Sequence, residues 1–385
     1  MQEVAVLGIG QTKIEEHWDK SLRDLAGEAI MTALEDANLN QVDGIFVGNM
    51  MSGTANRQQH LGAFIADWVG LHFRESIRLE SACSSGAAAF RAGLLAIASG
   101  DLESALIVGV EKMSDSPITE ITSSLVTAAD ADWEIDTGVS FVALNALIMQ
   151  RYMHEYHWSH KDFAGFSINA HANAIHNPYA RFQMPITLEQ YEKASMIVEP
   201  INLLDASPTG DGAAAIVLVS RDRLQKTNGI HHILVAGSGA ATDAISIHNR
   251  RDPLWLTAAE LSAKRAYTQA GITPNEIDFF EYHDAFTIMC VLSLEASGFI
   301  GRGQGPRMAL DNKIKLNNQL PTATLGGLKA RGHPVGATGM YQLVEVVQQL
   351  RGQAGENQLD KARVGMAQNI GGSGSNIITH ILTHD

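Results

Sequence analysis

The groups able to do covalent chemistry in this sequence are one cysteine set among very small residues and a few histidines beside glycines or strand ends. Cys83 lies in Glu-Ser-Ala-Cys-Ser-Ser-Gly-Ala-Ala-Ala, where an extended run gives way to a helical one. A thiol at a helix start faces unpaired N–H groups and the positive end of the helix dipole. Both favour the thiolate, the nucleophilic form. Ala82, Ser84, Ser85 and Gly86 leave room for a bulky electrophile. An arbitrary cysteine is more often a buried structural one, but the position and the motifs below reverse that for Cys83. Cys290, in the apolar helical run Phe-Thr-Ile-Met-Cys-Val-Leu-Ser-Leu, reads as core.

His333 lies in Gly-Gly-Leu-Lys-Ala-Arg-Gly-His-Pro-Val-Gly-Ala-Thr-Gly, with Gly326, Gly327, Gly332, Gly336 and Gly339 around it. Such glycines fold a backbone tightly, Pro334 suits a first helical turn, and an imidazole held there can act as general base toward a thiol. Taken alone, His333 reads equally as a helix-capping residue. His283, in Phe-Phe-Glu-Tyr-His-Asp-Ala-Phe, stands at the C-terminal end of an expected strand, where α/β folds gather ligands. It is placed to donate to an oxyanion, and the alternative of a satisfied interior histidine carries similar weight. Gly371-Gly372-Ser373-Gly374 is a glycine turn that can present backbone N–H groups as an oxyanion hole or a phosphate cradle. Neither it nor Gly8-Ile9-Gly10 has the spacing of a dinucleotide fingerprint. His154, His157 and His160 recur every three residues. A solvated helix or loop is preferred there, because tetrahedral metal sites draw ligands from separate elements.

Strands that alternate with helices supply the frame. Residues 4–10, 44–50 and 104–111 are apolar runs of strand character, while 22–38 and 84–100 carry helical spacing, the latter closed by Gly100. The alternation predicts a parallel or mixed sheet with helices on its faces. The plan then repeats: residues 231–239 match 4–10, residues 266–284 match 33–49, and Cys83-Ser-Ser-Gly-Ala matches His333-Pro-Val-Gly-Ala. An internal duplication with a pseudo-dyad follows, and it makes His333 the counterpart of Cys83. Residues 115–205 interrupt the repeat and read as an inserted substrate-facing subdomain.

With 385 residues, the chain is long enough for two or three domain-sized units. Hydrophobic residues at 45%, charged residues at 18% and 35 glycines argue for a compact fold and against disorder or fibres. A net charge of −14 argues against general nucleic-acid binding, leaving room for a local basic patch toward one phosphorylated ligand. Two cysteines exclude a disulfide scaffold and fit a reducing compartment. The N-terminus has no basic stretch followed by an apolar core, and no run of 18 apolar residues occurs. The expectation is a cytoplasmic protein.

In family order, residues 81–90, 108–114, 208–219, 282–286, 326–339 and 369–374 resemble the thiolase superfamily over essentially the whole chain. The pair Gly-His-Pro-x-Gly-Ala-Thr-Gly and His-Asp-Ala-Phe is its most specific part. His-Asp-Ala-Phe in place of Asn-Glu-Ala-Phe is similar to the sterol-carrier-protein-type and archaeal enzymes. With the sequence ending at Asp385, no appended sterol-carrier domain is expected, and the stand-alone archaeal type is the nearer likeness. The resemblance implies an α/β thiolase fold of two pseudo-symmetric βαβαβαββ halves. The expected division is 1–114 with 206–225, a loop subdomain at 115–205, and 226–385. It further implies acetyl-CoA C-acetyltransferase activity, with Cys83 acylated, His333 as its base and His283 in one oxyanion hole. The N–H groups of Cys83 and Gly371 would form the other. Gly332, Phe286 and Gly372 would meet coenzyme A, which enters as substrate and product, with no metal or redox cofactor. A homodimer or dimer of dimers is implied, and archaeal-type relatives suggest hydroxymethylglutaryl-CoA synthase and a small OB-fold acyl-CoA-binding protein as partners in a mevalonate-type pathway.

One departure stands out. Many relatives use a second cysteine, either in Cys-x-Gly near the C-terminus or after His-Asp. Here those positions read Asn369, a possible secondary site residue, and Ala285. Removing an α-proton needs a base close to that carbon, so His333, His283 or an unrecognised group must serve. The alternatives are a longer-chain 3-ketoacyl-CoA thiolase, a decarboxylating condensing enzyme, which needs no such base, and an acyl-CoA-binding subunit of a larger complex.

Overall fold

The computed structural model describes residues 2–224 and 232–384. The expected boundary at 225/226 lies outside the described residues. In chain order, the first half carries β1 (Val4–Gln11), α1 (Leu22–Asp36), β2 (Gly44–Gly48), α2 (Leu61–Trp68), β3 (Glu75–Leu79), α3 (Ser85–Ser99) and β4 (Ser104–Glu111). A helical segment follows: α4 (Ile118–Val126), α5 (Phe141–Tyr156), α6 (Ala164–Ala174) and α7 (Leu188–Lys193), then the hairpin β5 (Met196–Val198) and β6 (Ile201–Asn202). β7 (Gly212–Ser220) and α8 (Arg221–Leu224) return to the first half. The second half carries β8 (Ile233–Thr242), α9 (Thr257–Ala270), β9 (Phe279–Glu281), α10 (Thr287–Ala296), α11 (Pro306–Leu310), α12 (Thr338–Leu350), β10 (Val364–Gly371) and β11 (Asn376–His384).

Nine of these strands form one sheet in the order β3-β2-β4-β7-β1-β8-β11-β10-β9. The pairing pattern repeats in mirror order for three pairs on either side of the β1–β8 seam. On each side an antiparallel pair (β1–β7, β8–β11) is followed by another (β7–β4, β11–β10) and then by a parallel pair (β4–β2, β10–β9). The parallel β2–β3 pair is echoed only by an isolated parallel bridge between Phe280 and Thr322. The duplication read in the sequence is thus physical, and the two half-sheets join through two residue pairs, Ala5 with Leu234 and Val6 with Ile233.

β4 and β7 are buried along their whole length, as strands covered on both faces must be. α1 packs on β1 and β7 and α9 on β8 and β11, while α3 and α12 touch each other and strands of both halves. Gly8-Ile9-Gly10 finds its explanation here. A Cβ at Gly8 or Gly10 would overlap the carbonyls of Ala33 or Ala29 on α1, and one at Gly237 or Gly239 would overlap those of Ala266 or Ser262 on α9. The glycine pairs bring helix against strand in both halves, and no nucleotide is needed to account for them. By length and composition alone Ala82–Ser99 would pass for a membrane span. In the fold it holds the central helix α3, whose small residues permit the close approach to α12.

The expectation that His333 and Pro334 open a helix is corrected. Val335–Ala337 is a single 3-10 turn and α12 begins at Thr338, so His333 stands five residues ahead of the helix. Cys83 likewise stands two residues ahead of α3, whose N-cap is Ser84.

Candidate active site

Cys83, His283 and His333 arrive from three separate turns. After β3 the chain bends through Ala82 at φ 48°, then enters α3. A left-handed alanine costs about 1–2 kcal/mol, and neighbours hold it. Ala82 N–H donates to Glu80 Oε1 at 2.6 Å, and Ser85 Oγ donates to the Ala82 carbonyl at 2.6 Å. This sharp strand-to-helix turn presents the Cys83 side chain to the cavity.

His283 follows β9 by two residues, and its neighbour Asp284 organises the other histidine's loop. Residues Gly327–Arg331 form a π turn around the Asp284 carboxylate, which accepts the N–H of Leu328 at 2.7 Å and of Lys329 at 3.4 Å. The chain then reaches His333, whose N–H donates to the Pro208 carbonyl at 2.9 Å. The His-Asp-Ala-Phe and Gly-His-Pro motifs are therefore two sides of one hydrogen-bonded unit.

Sγ of Cys83 and one ring nitrogen of each histidine all lie within 4.8 Å of one another. The two rings are 5.1 Å apart at 83°. They stand at the foot of a cavity of about 150 Å3, walled by Leu125, Phe141 and Val142 from the segment between β4 and β7 and by Ala206, Ala285, Phe286 and Met289. Asn145, Ser207 and Thr209 add polar atoms, and Gly372 and Ile370 close one side. Phe286 and Gly372 line the cavity.

Hydrogen bonds fix the state of each imidazole. His333 Nδ1 lies 2.6 Å from Thr338 Oγ1, and that hydroxyl donates to the Pro334 carbonyl at 3.3 Å. Thr338 therefore accepts from Nδ1–H, and Nε2 of His333 keeps a free lone pair. His283 Nδ1 lies 2.9 Å from Asn369 Nδ2, an amide donor. With Nδ1 accepting, the proton of neutral His283 sits on Nε2. One histidine offers a base to the cavity and the other offers a donor.

Burial sets the charges. The Cys83 thiol is pushed up to about 12, by desolvation first and then by the Glu111 carboxylate, against the opposing N–H of Gly372. Burial, with the Arg331 charge second, brings His333 down to about 3, and burial holds His283 well below the usual imidazole range. The expectation of a helix-activated thiolate is corrected: desolvation outweighs the helix start, and the resting pair is neutral thiol and neutral imidazole.

Two further expectations change. The amide directed at Cys83 is that of Gly372, not Gly371, which sits in the β10–β11 ladder opposite Asn376. Gly332 takes φ 112° at the end of the π turn, where a Cβ would strike Ile14 2.6 Å away; it shapes the loop and lies outside the cavity lining. Cys290 is buried in α10, as read. The three spaced histidines separate: His154 and His157 are exposed, while His160 pairs with Asp205 at 2.6 Å.

Sequence reasoning missed Glu111 and Thr338. Glu111 is buried and accepts the N–H of Met50, Met51 and Gly336 and the amide of Asn49 at 2.9–3.0 Å. Both residues lie inside the matched motifs, Glu111 beside Lys112 and Thr338 five residues after His333. Nothing local marks them as partners of the site.

Residues 4–222 match the thiolase N-terminal domain family and residues 239–384 the thiolase C-terminal domain-like family. The acetyl-CoA acetyltransferase of Methanothermobacter thermautotrophicus is 41% identical over 385 residues, covering all of both chains. That of Methanocaldococcus jannaschii is 37% identical, covering 100% of this chain and 99% of its own. The solved Ltp2-ChsH2(DUF35) aldolase superposes with a TM-score of 0.86 at 25% identity, covering 100% of this chain and 98% of that one. With both halves matched and a thiol and two imidazoles converging as described, this chain belongs to the thiolase family.

Proposed function

We propose that this thiolase moves acetyl groups between coenzyme A thioesters through a covalent thioester on Cys83. It condenses two acetyl-CoA to acetoacetyl-CoA and free CoA, or runs the reverse thiolysis. The observation that carries this reading is the convergence of Sγ and two imidazole nitrogens within 4.8 Å at the foot of an apolar cavity. The archaeal relatives named acetyl-CoA acetyltransferases, at 41% and 37% identity over the full chain, support the acetyl group in particular. A cavity of about 150 Å3 narrowed by Phe141, Phe286 and Met289 suits a short acyl group better than a long one.

In the first half-reaction His333 Nε2 takes the Cys83 proton as Sγ attacks the thioester carbon. The N–H groups of Cys83 and Gly372 face the oxyanion. The leaving CoA thiolate takes the proton from His333. In the second half-reaction the α-carbon of another acetyl-CoA, its thioester oxygen held by His283, attacks the acetyl group and releases Cys83. Two half-reactions through one intermediate predict ping-pong kinetics.

The same reading takes coenzyme A as substrate and product, without a metal or redox cofactor. It divides the chain into halves at 1–114 with 206–225 and at 226–385, flanking a loop subdomain at 115–205 that supplies Leu125, Phe141 and Val142 to the cavity. We assign it a cytoplasmic homodimer or dimer of dimers serving a mevalonate-type pathway, with hydroxymethylglutaryl-CoA synthase and a small OB-fold acyl-CoA-binding protein as partners. The solved aldolase named with a DUF35 chain supports a small partner of that kind.

Incubation with isotopically labelled acetyl-CoA, followed by peptide mass spectrometry, tests the covalent step. An acetyl adduct on Cys83, lost on addition of CoA, is expected. Its absence in folded protein would remove the acyl-transfer reading.

A further inference from the structure

The two half-reactions make different demands on the cavity. The first needs a base for a thiol. The second needs a base for a carbon acid together with a donor on the thioester oxygen, because the α-proton leaves only as charge develops on that oxygen. Once Cys83 carries an acetyl group it can no longer accept a proton. Among the residues lining the cavity, the titratable groups then remaining are His283 and His333.

The hydrogen bonds divide the work between them. His283 has Nδ1 tied to Asn369 Nδ2, so its cavity-facing nitrogen is Nε2–H, a donor. A nitrogen that donates to the thioester oxygen cannot take the α-proton in the same step. His333 has its proton on Nδ1, held by Thr338, and presents a bare Nε2.

Resting on the covalent reading above, we propose that His333 is the single base of the whole cycle, removing the Cys83 proton in the first half-reaction and the α-proton of the second acetyl-CoA in the next. The protons balance. In acylation the proton passes from Sγ to Nε2 and leaves on CoA. In condensation one methyl proton passes to Nε2, the enolate carbon bonds the acetyl carbon as the C–S bond to Cys83 breaks, and the proton returns to Sγ. His333 is neutral at the start of each half-reaction, as its burial requires. His283 is the donor to the thioester oxygen in the second half-reaction. Thr338 and Asn369 are positioning residues that fix the two tautomers.

Exchange of the methyl hydrogens of acetyl-CoA in D2O, followed by mass spectrometry of the thioester, isolates the second step. It is read in Cys83→Ala, which removes the nucleophile and keeps both imidazoles. Cys83→Ala is expected to exchange above the buffer rate. Adding His333→Asn should lower that rate about 100-fold or more, whereas adding His283→Asn, which keeps an N–H donor, should lower it about 10-fold or less. Should the His333→Asn double variant fail to fold, Cys83→Ala/Thr338→Val takes its place, with a loss of about 10-fold expected. Exchange that survives His333→Asn, exchange abolished by His283→Asn alone, or none in Cys83→Ala would overturn the assignment. The acetyl adduct on Cys83 in the unaltered chain is scored separately, so failure of the single-base assignment is distinguishable from failure of the covalent mechanism.

Discussion

The Glu111 carboxylate, at the end of β4, accepts the backbone N–H of Gly336 at 2.9 Å, tying a strand of the first half to the loop that carries His333 in the second. The same carboxylate takes the N–H of Met50 and Met51. Glu111→Ala strands four buried donors, the N–H of Met50, Met51 and Gly336 and the Asn49 amide, and should cost about 3 kcal/mol or more of stability. Chemical denaturation measures the loss, and kcat should fall with it as the histidine loop loosens.

Burial lifts the Glu111 carboxyl to about 7, over the opposing amides of Met50, Met51 and Gly336. Folding therefore takes up a proton at this site between its ordinary value and about 7. Its contribution to stability is fully present below the ordinary carboxyl range and is lost as pH rises through neutrality. Melting temperatures from pH 5 to 8 should decline less steeply in Glu111→Gln than in the parent chain.

A neutral thiol beside a neutral imidazole has a simple chemical signature. With Cys83 pushed up to about 12 and His333 down to about 3, alkylation of Cys83 by iodoacetamide should quicken about tenfold per pH unit from pH 6 to 9. A rate that levels off below pH 7 would instead mark a thiolate–imidazolium pair.

Thr338 touches the reaction only through Nδ1 of His333. Thr338→Val removes the acceptor while keeping the shape, and should lower kcat about 10- to 100-fold with little change in KM. Thr338→Ser, which keeps the hydroxyl, should recover most of the rate. Equal behaviour of the two variants in steady-state kinetics would deny the hydroxyl its role.

Gly339, in the first turn of α12, packs against the start of α3. A Cβ there would stand 2.6 Å from the backbone nitrogen of Ala87 and overlap Asn369 Oδ1. Gly339→Ala should destabilise the protein by about 1–3 kcal/mol. By displacing Asn369 it should also depress turnover more than the stability loss explains, a comparison made at a temperature where the variant is fully folded.

The amino-acid order by itself determined the alternation of strands and helices and the duplication, and it singled out the cysteine and the two histidines that the fold brings together. These are local signals. Small residues around Cys83, glycines around His333 and the repeated strand–glycine pattern act within a few residues of one another. The cavity wall drawn from residues 115–205, the Gly372 amide, the neutral charges and the tautomers were decided only in three dimensions. Asn369 meets His283 across 86 residues and Glu111 meets Gly336 across 225. Desolvation, which reverses the expected thiolate, arises from every element packed around Cys83. Ionisation and proton position depend on the sum of a group's neighbours, and those neighbours are assembled by the fold from distant parts of the chain.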